Sequence, residues 1–234
     1  MYPSIHAARF PDKPAIIMAN TGQVITYREL NERSIQVSRL LRSAGLKVGD
    51  HVAMFLENHP WFHIITFGAH RAGLYFTPIS SRLTASEVDY IAADCMATAF
   101  ITSMAKADVA AELVPLMPAV RNRYMLDGVL AGYQSFEEAV LAQSTEPLAD
   151  ETAGVEMLYS SGTTGRPKGI LKPLPGTDVT VPNMMMAMMP SRYGFDENSI
   201  YLSPAPLYHA APLGYTRTLL CCGGTIVVME KFDA

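Results

Sequence analysis

The chain has 234 residues, of which 49% are hydrophobic and 17% are charged, and its net charge is −4 at pH 7. A typical soluble domain has about 25% charged residues, so we expect part of this surface to be covered by other protein. Lys and Arg are not concentrated in any segment. This distribution argues against a nucleic-acid partner, which needs a basic face for counterion release.

The cysteines and the apolar segments indicate a reducing compartment. The three cysteines, Cys95, Cys221 and Cys222, have no metal-ligand spacing and resemble small buried hydrophobes. The first ten residues lack the apolar core of a secretory signal. No apolar run reaches the ~20 residues that span a bilayer. We therefore predict a cytoplasmic protein without a transmembrane segment; the sequence leaves its oligomeric state open.

Helical and strand patterns alternate along the first half of the chain. Thr26 and Glu29 form a capping box, in which each side chain satisfies a free amide of the other residue, before a helix that ends near Gly45. Thr84 with Glu87 and Ser135 with Glu138 repeat this pattern. Short apolar runs, typical of strands covered on both faces, alternate with the helices: residues 51–56, 74–79 and 99–101.

The second half continues the alternation. Residues 155–159 resemble one strand that leads into a Gly-rich loop, and residues 199–203 and 225–229 resemble strands around a helix near residues 213–222. The alternation predicts an α/β fold with layered, mostly parallel sheets flanked by helices. The Met-rich run 184–189 favours a buried helix over a lipid-binding wall. The last apolar strand lacks a following helix, which indicates either a fragment or a strand at a sheet edge.

The strongest chemical signal is the loop YSSGTTGRPKG at residues 159–169. Its glycines allow positive φ and close approach of a ligand, and its backbone amides can form an anion-binding nest. Lys168 adds a positive charge, and the combination suits the polyphosphate of a nucleotide. The loop is not a Walker A motif, because Pro167 precedes the lysine and Gly169 follows it. A surface loop with an incidental lysine is the less favoured alternative.

This loop resembles the phosphate loop of the adenylate-forming superfamily, which contains acyl-CoA synthetases, luciferases and adenylation domains. Two further segments resemble family motifs in the same order: RAGLYFTPISSRLT at residues 71–84 and PLYHAAP at residues 206–212. The opening segments FPDKPA (residues 10–15) and ITYREL (residues 25–30) resemble a family N-terminus. The resemblance therefore covers essentially the whole chain.

The resemblance implies ATP-dependent activation of a carboxylic acid to an acyl-adenylate and then to an acyl-CoA. It assigns the phosphates to a set of hydroxyl, glycine and lysine positions: Ser160, Ser161, Gly162, Thr163, Thr164, Gly165 and Lys168. Lys168, Thr164 and His209 are the expected catalytic residues, and Tyr208, His209 and Ala210 are expected at the acyl pocket. A histidine that only begins a helix is the structural alternative for His209.

The resemblance also implies what lies outside the chain. The substrates would be ATP, CoA and a small carboxylic acid. The Ala210–Ala211 pair and the apolar Met segment favour a fatty or steroid-like acid. The Mg²⁺ ligands and a C-terminal domain with a catalytic lysine are expected outside these residues, so the chain would be a truncated N-terminal AMP-binding domain. We therefore expect no acyl-adenylate formation by the chain alone.

The expected domain arrangement has two parts. Residues of about 51–195 would form a first sheet subdomain, and residues 1–50 with 196–234 would form a partial second sheet. Two functional alternatives remain: an adenylation domain that loads a carrier protein, and a truncated nucleotide-binding module without catalysis.

Overall fold

The computed structural model describes residues 1–160 and 166–232, and the elements alternate along the chain as predicted. The helices are α1 Pro3–Arg9, α2 Tyr27–Ser43, α3 Phe62–Arg71, α4 Ala85–Asp94, α5 Ala107–Leu116, α6 Phe136–Leu141, α7 Met184–Tyr193 and α8 Ala210–Cys222, with a 3₁₀ turn at Met104–Lys106. The strands are β1 Pro14–Met18, β2 Val24–Thr26, β3 His51–Phe55, β4 Tyr75–Ile79, β5 Ala97–Ser103, β6 Asn122–Leu126, β7 Gln134–Ser135, β8 Val155–Glu156, β9 Leu158–Tyr159, β10 Gly169–Ile170, β11 Ile200–Ser203 and β12 Thr225–Val228.

The largest sheet has six parallel strands in the order β7-β6-β5-β3-β4-β8. Every residue of β3 and β4 is buried, because helices cover both faces of this sheet. Successive side chains of β3 enter different cores: Val52 and Met54 pack on one face, and Ala53 and Phe55 pack on the other. The predicted α/β fold with mostly parallel, helix-flanked sheets is confirmed.

A second sheet combines both ends of the chain. Its order is β11-β12-β1-β2, with β12 parallel to both β11 and β1, and with β2 antiparallel to β1. The last strand therefore lies inside the sheet, so the alternative that it forms a sheet edge is wrong. One core fills the space between the two sheets and contains side chains of α2, α3 and α8.

The outer face of the second sheet carries an apolar row. The register places Leu202 beside Val227, Val227 beside Ile17, and Ile17 beside Val24. Leu202 is 55% exposed and Val24 is 42% exposed. The sequence-based expectation of apolar surface that needs a cover is consistent with this row.

Two sequence interpretations are wrong at the level of elements. Residues 155–159 do not form one strand, because β8 pairs with β4 in the large sheet and β9 pairs with β10 in a separate two-stranded sheet. The Met-rich helix α7 is not buried: Met189 is its buried residue, whereas Met184 is 79% exposed. A run of apolar residues without helical periodicity gives no information about which side faces solvent.

Candidate nucleotide and acyl site

An antiparallel hairpin holds the two ends of the predicted phosphate loop together. Tyr159 pairs with Gly169, and the Ser160 amide donates a 3.0 Å hydrogen bond to the Lys168 carbonyl. A Cβ on Gly169 would lie 2.9 Å from Cζ of Tyr159, so a larger residue at this position would have to displace the Tyr159 ring. The hairpin thus places the predicted phosphate ligands Ser160 and Lys168 side by side.

Helix α4 anchors this hairpin. The Tyr159 hydroxyl donates a 2.5 Å hydrogen bond to the Asp94 carboxylate, and the Tyr90 hydroxyl donates to the Pro167 carbonyl at 3.2 Å. The Arg166 guanidinium lies 4.9 Å from the centre of the Tyr90 ring, within the range of a cation–π contact. Burial, followed by the hydrogen bond to Asp94, raises the pKa of Tyr159, so its hydroxyl remains a donor.

The predicted phosphate ligands are only partly visible in the described residues. Ser160 and Lys168 are both exposed, which leaves the lysine ammonium available to a bound anion. Five of the predicted residues lie outside the described part of the chain: Ser161, Gly162, Thr163, Thr164 and Gly165.

The motif at residues 206–212 is held by Asn58, which follows β3. The Asn58 amide group donates to the carbonyls of Ala205 at 3.3 Å and Met229 at 2.7 Å, and its carbonyl accepts from the Leu207 amide at 2.8 Å. One side chain from the large sheet thereby fixes the start of α8 and the end of β12. The sequence resemblance located the motif but gave no indication of this clamp.

The three predicted acyl-pocket residues lie in three different environments. His209 is exposed and is the N-cap residue of α8, with its ring 4.5 Å from that of Tyr208. Tyr208 is buried in the core between the sheets. Ala210 lines a 130 Å³ cavity, which we call cavity A, together with Leu158 and Leu213.

Cavity A connects the two predicted halves of the site. Leu158 belongs to the hairpin that carries the phosphate loop, whereas Ala210 opens the helix that follows the second motif. Lys172 also lines the cavity and donates a 2.6 Å hydrogen bond to the Glu156 carboxylate. Lys172, which the sequence indicated as a surface residue, is half exposed and forms an ion pair with Glu156 across the cavity wall.

A second space, cavity B, has a volume of 160 Å³ and adjoins cavity A. Its wall includes Tyr2, His70 and Arg217, none of which sequence reasoning selected. The sequence signal that could have indicated this group was Arg217, a single charged residue within the apolar helix at residues 213–222. Arg217 is 4% exposed, and its guanidinium lies 4.7 Å from the Phe67 ring centre and 4.8 Å from that of Phe76.

The described residues provide one group that could ligate a metal: Glu57, His59 and Asp127, whose ligand atoms lie within 4.8 Å of one another. Mg²⁺ prefers an all-oxygen octahedral shell. Here His59 already shares a 3.0 Å hydrogen bond with Asp127, and Glu57 accepts one from Ser103. This group therefore does not fit Mg²⁺. Within residues 1–160 and 166–232, no helix combines the length and hydropathy needed to cross a bilayer.

Comparison with known families and sequences gives a consistent result. The model of the AMP-binding enzyme family matches residues 4–234. A feruloyl-CoA synthase from Amycolatopsis is 32% identical over 224 residues, covering 94% of this chain and 42% of the relative. The 4-coumarate–CoA ligase 3 of rice is 30% identical, covering 94% of this chain and 40% of its own length. The chain spans less than half of these curated relatives.

Solved structures are similar over the whole chain. The N-terminal domain of FACL13 from Mycobacterium tuberculosis has a TM-score of 0.80 at 22% identity, covering 99% of this chain and 56% of that chain. ATP-bound MatB from Rhodopseudomonas palustris has a TM-score of 0.75 at 26% identity, covering 100% of this chain and 46% of that chain. The first likeness establishes the fold.

Proposed function

Because the chain belongs to the AMP-binding enzyme family, we propose that it forms the nucleotide- and acid-binding part of an AMP-forming acyl-CoA synthetase. The reaction would join a carboxylic acid to AMP, with release of pyrophosphate, and then transfer the acyl group to the thiol of CoA. One observation carries the proposal: the hairpin of the phosphate loop and the start of α8 line the same cavity.

The chemistry explains why a phosphate loop and an acid pocket must be adjacent. A carboxylate is a poor acyl donor, because its leaving group would be oxide. An oxygen of the carboxylate attacks the α-phosphorus of ATP, and the bond from that phosphorus to the β-phosphate oxygen breaks to release pyrophosphate. The CoA thiol then loses its proton and attacks the acyl carbon, and AMP leaves. Catalysis of this kind depends mainly on positioning and on charge neutralisation.

The residues of this chain would act on the phosphates in the first step. Lys168 would neutralise charge on the β- and γ-phosphates, and its exposed position beside Ser160 supports that role. The neighbouring Ser161, Gly162, Thr163, Thr164 and Gly165 would donate amide or hydroxyl hydrogen bonds to the same groups. His209 is the N-cap residue of α8, and Tyr208 precedes it. Both would position the carboxylate near the α-phosphorus.

The acceptor and the remaining partners follow from the relatives. The similar curated proteins are named as CoA ligases, which favours CoA over a carrier protein as acceptor. Mg²⁺ would accompany ATP, with protein ligands outside the described residues. The three free cysteines favour a reducing cytoplasm.

Nucleotide binding to the 234-residue chain tests the phosphate role of Lys168. We expect Lys168→Ala to weaken ATP binding by roughly ten- to a hundredfold, because one charge-assisted interaction of about 1.5–3 kcal/mol is lost. AMP affinity should change little, since AMP lacks the β- and γ-phosphates. Isothermal titration calorimetry measures both constants.

Lys47→Ala is the matched control for this experiment, because Lys47 is an exposed lysine that precedes β3. This control should bind ATP like the wild type. Equal ATP affinities for the wild type and for Lys168→Ala would remove the phosphate role. Acid-dependent exchange of labelled pyrophosphate into ATP, measured on a protein that spans the full length of the relatives, tests the adenylation step itself.

A further inference from the structure

The two cavities lie next to each other along α8, and together we call them the α8 channel. Four residues line both: Glu156, Asn183, Met186 and Arg217. Cavity A begins at Ala210 near the start of the helix, and cavity B reaches Cys221 near its end. An α-helix rises about 1.5 Å per residue, so Arg217 lies roughly 10 Å along the axis from Ala210. The channel is therefore deep enough for an extended acid that enters at the His209 end.

The inner end of this channel collects buried polar atoms without partners. Oη of Tyr2, Nδ1 of His70 and Nη1 of Arg217 are each buried, and each lacks a hydrogen-bond partner within the described chain. All three residues line cavity B. Buried polar groups in native proteins are nearly always paired, so three orphans around one space indicate a ligand that pairs with them.

Arg217 is the decisive member of this group. A buried, unpaired guanidinium is strongly unfavourable unless an anion accompanies it. The nearest acidic side chain on the channel wall, Glu156, is already paired with Lys172. The rings of Phe67 and Phe76 contact the guanidinium faces but contribute no full negative charge. Burial lowers the pKa of Arg217, yet arginine remains protonated in proteins.

The neighbouring groups also favour an acceptor. The phenol of Tyr2 can donate one hydrogen bond, and burial with the nearby Arg217 and Arg71 charges keeps the pKa of His70 well below its usual value. Neutral His70 can donate through Nδ1 in one of its two tautomers. Arginine, phenol and imidazole together match the acceptor-only oxygens of a carboxylate, and guanidinium binds carboxylates with two parallel hydrogen bonds.

We propose that the acid activated at this site is a dicarboxylic acid whose second carboxylate binds Arg217 and Tyr2 at the inner end of the α8 channel. This inference rests on the proposed function, because it places the reacting carboxylate near His209. It revises the sequence-based preference for a purely apolar acid. Leu158, Leu213 and Met186 supply apolar wall between the two ends, beside the Glu156–Lys172 ion pair, and can pack on a methylene chain.

Binding of matched acids to the 234-residue chain tests the inference. Octanedioate, octanoate and 8-hydroxyoctanoate share one chain length and differ only at the distal end. We expect octanedioate to bind at least tenfold more tightly than octanoate by titration calorimetry. Equal affinities for octanedioate and octanoate, tighter binding of the hydroxy acid, or no binding of any of the three would overturn the proposal; the last result would indicate a channel that holds only water.

Two variants connect the preference to the named side chains. Arg217→Met keeps the length and apolar stem of the side chain, and it should abolish the preference for octanedioate. Tyr2→Phe removes one hydroxyl and should reduce the preference severalfold. Arg192→Met is the matched control, since Arg192 is an exposed arginine on α7 that lines neither cavity. An unchanged preference in Arg217→Met or in Tyr2→Phe would overturn the proposal, and the second variant decides the matter if the first does not fold.

These outcomes separate the inference from the proposed function. If octanoate and octanedioate bind equally while a full-length protein still shows acid-dependent pyrophosphate exchange, the second carboxylate site is removed but acid activation stands. If Lys168→Ala leaves ATP binding unchanged while the preference for octanedioate persists, the phosphate role of Lys168 is lost and the second carboxylate site stands.

Discussion

Two arginines are buried in the layer between the sheets, and they differ in their partners. Arg71 donates to the Ser34 hydroxyl at 3.0 Å, to the Glu151 carboxylate at 2.8 Å and to the Asn31 side chain. Arg217 has no hydrogen bond or ion pair to any described residue, although aromatic rings contact it. Arg71 is therefore bonded within the fold, whereas the guanidinium of Arg217 is available to a ligand.

The two methionine substitutions should therefore have different effects on stability. Arg71→Met leaves Glu151 and Asn31 without their partner and should cost about 3–5 kcal/mol of unfolding free energy. Arg217→Met removes an unpaired charge and loses only cation–π contacts, so we expect a change within about 1 kcal/mol or a gain. Urea unfolding of both variants measures the difference. A large loss in Arg217→Met would indicate a partner for this arginine outside the described residues.

The sequence indicated some residues of the candidate site and not others, for a physical reason. Ser160 and Lys168 lie in a contiguous motif, so their proximity follows from local chain geometry. Arg217 and Tyr2 line the same cavity because β1 and β12 pair in the second sheet and bring the N-terminus close to α8. No local sequence pattern predicts that arrangement. The one sequence signal was Arg217 itself, a single positive charge on an apolar helix face.

At the scale of elements, signals confined to one turn were reliable. The capping boxes at Thr26 and Thr84 are both present, with the Glu29 and Glu87 carboxylates accepting from the N-cap amides. At Ser135 only half of the box forms: its hydroxyl accepts from the Glu138 amide, but the Glu138 carboxylate makes no hydrogen bond to the Ser135 amide. The single strand predicted at residues 155–159 failed, because the choice of sheet partner is not local.

Two glycines on the channel wall give an opposing pair of predictions. A Cβ at Gly154 would lie 2.7 Å from the Leu74 amide nitrogen and closer still to the Leu74 carbonyl oxygen, and these backbone atoms cannot move aside. Gly154→Ala should therefore cost about 3 kcal/mol by overpacking where β8 joins β4. Gly214→Ala meets only Met185 at 3.5 Å, and it should stabilise α8 by about 0.5–1 kcal/mol.

Thermal unfolding of both alanine variants checks the pair. Because Gly214 lines cavity A, its alanine variant should also bind acids more weakly despite its greater stability. Tighter acid binding by Gly214→Ala, or an unchanged melting temperature for Gly154→Ala, would contradict the described geometry.

At the scale of the whole molecule, the layered architecture was predictable, because alternating strands and helices permit few arrangements. The division into residues of about 51–195 and the two flanking segments stays a prediction. The core between the sheets contains side chains from both parts, including α2, α3 and α8. The low content of charged residues predicted that other protein covers part of the surface, but it could not locate the Leu202–Val24 row.

Buried histidines make the molecule sensitive to acid. Burial lowers the pKa of His6, His51 and His70, and it lowers the pKa of His63 to about 3. In the unfolded chain these histidines take up protons near pH 6.5, so above that pH they do not change the stability. Below it, stability falls progressively towards pH 3, by up to about 1.4 kcal/mol per pH unit for each fully buried histidine.

His63→Phe should reduce this slope. Both ring nitrogens of His63 are buried without partners in the described chain, so phenylalanine removes the titration without breaking a hydrogen bond. Urea unfolding between pH 7 and pH 4 compares the slopes, with His209→Phe as a control at an exposed histidine. Identical slopes for the wild type and His63→Phe would show that this imidazole does not govern the acid response.

The pairing of β1 with β12 has a consequence for biosynthesis. Ile16 aligns with Ile226, so the first strand must wait for the residues up to β12 to leave the ribosome before its parallel neighbour exists. Translation at about 5–20 residues per second makes that delay roughly 10–45 s. During this interval the six-stranded sheet can already form, while Tyr2 has no α8 against which to settle. The inner wall of the channel is thus completed later in synthesis than the six-stranded sheet.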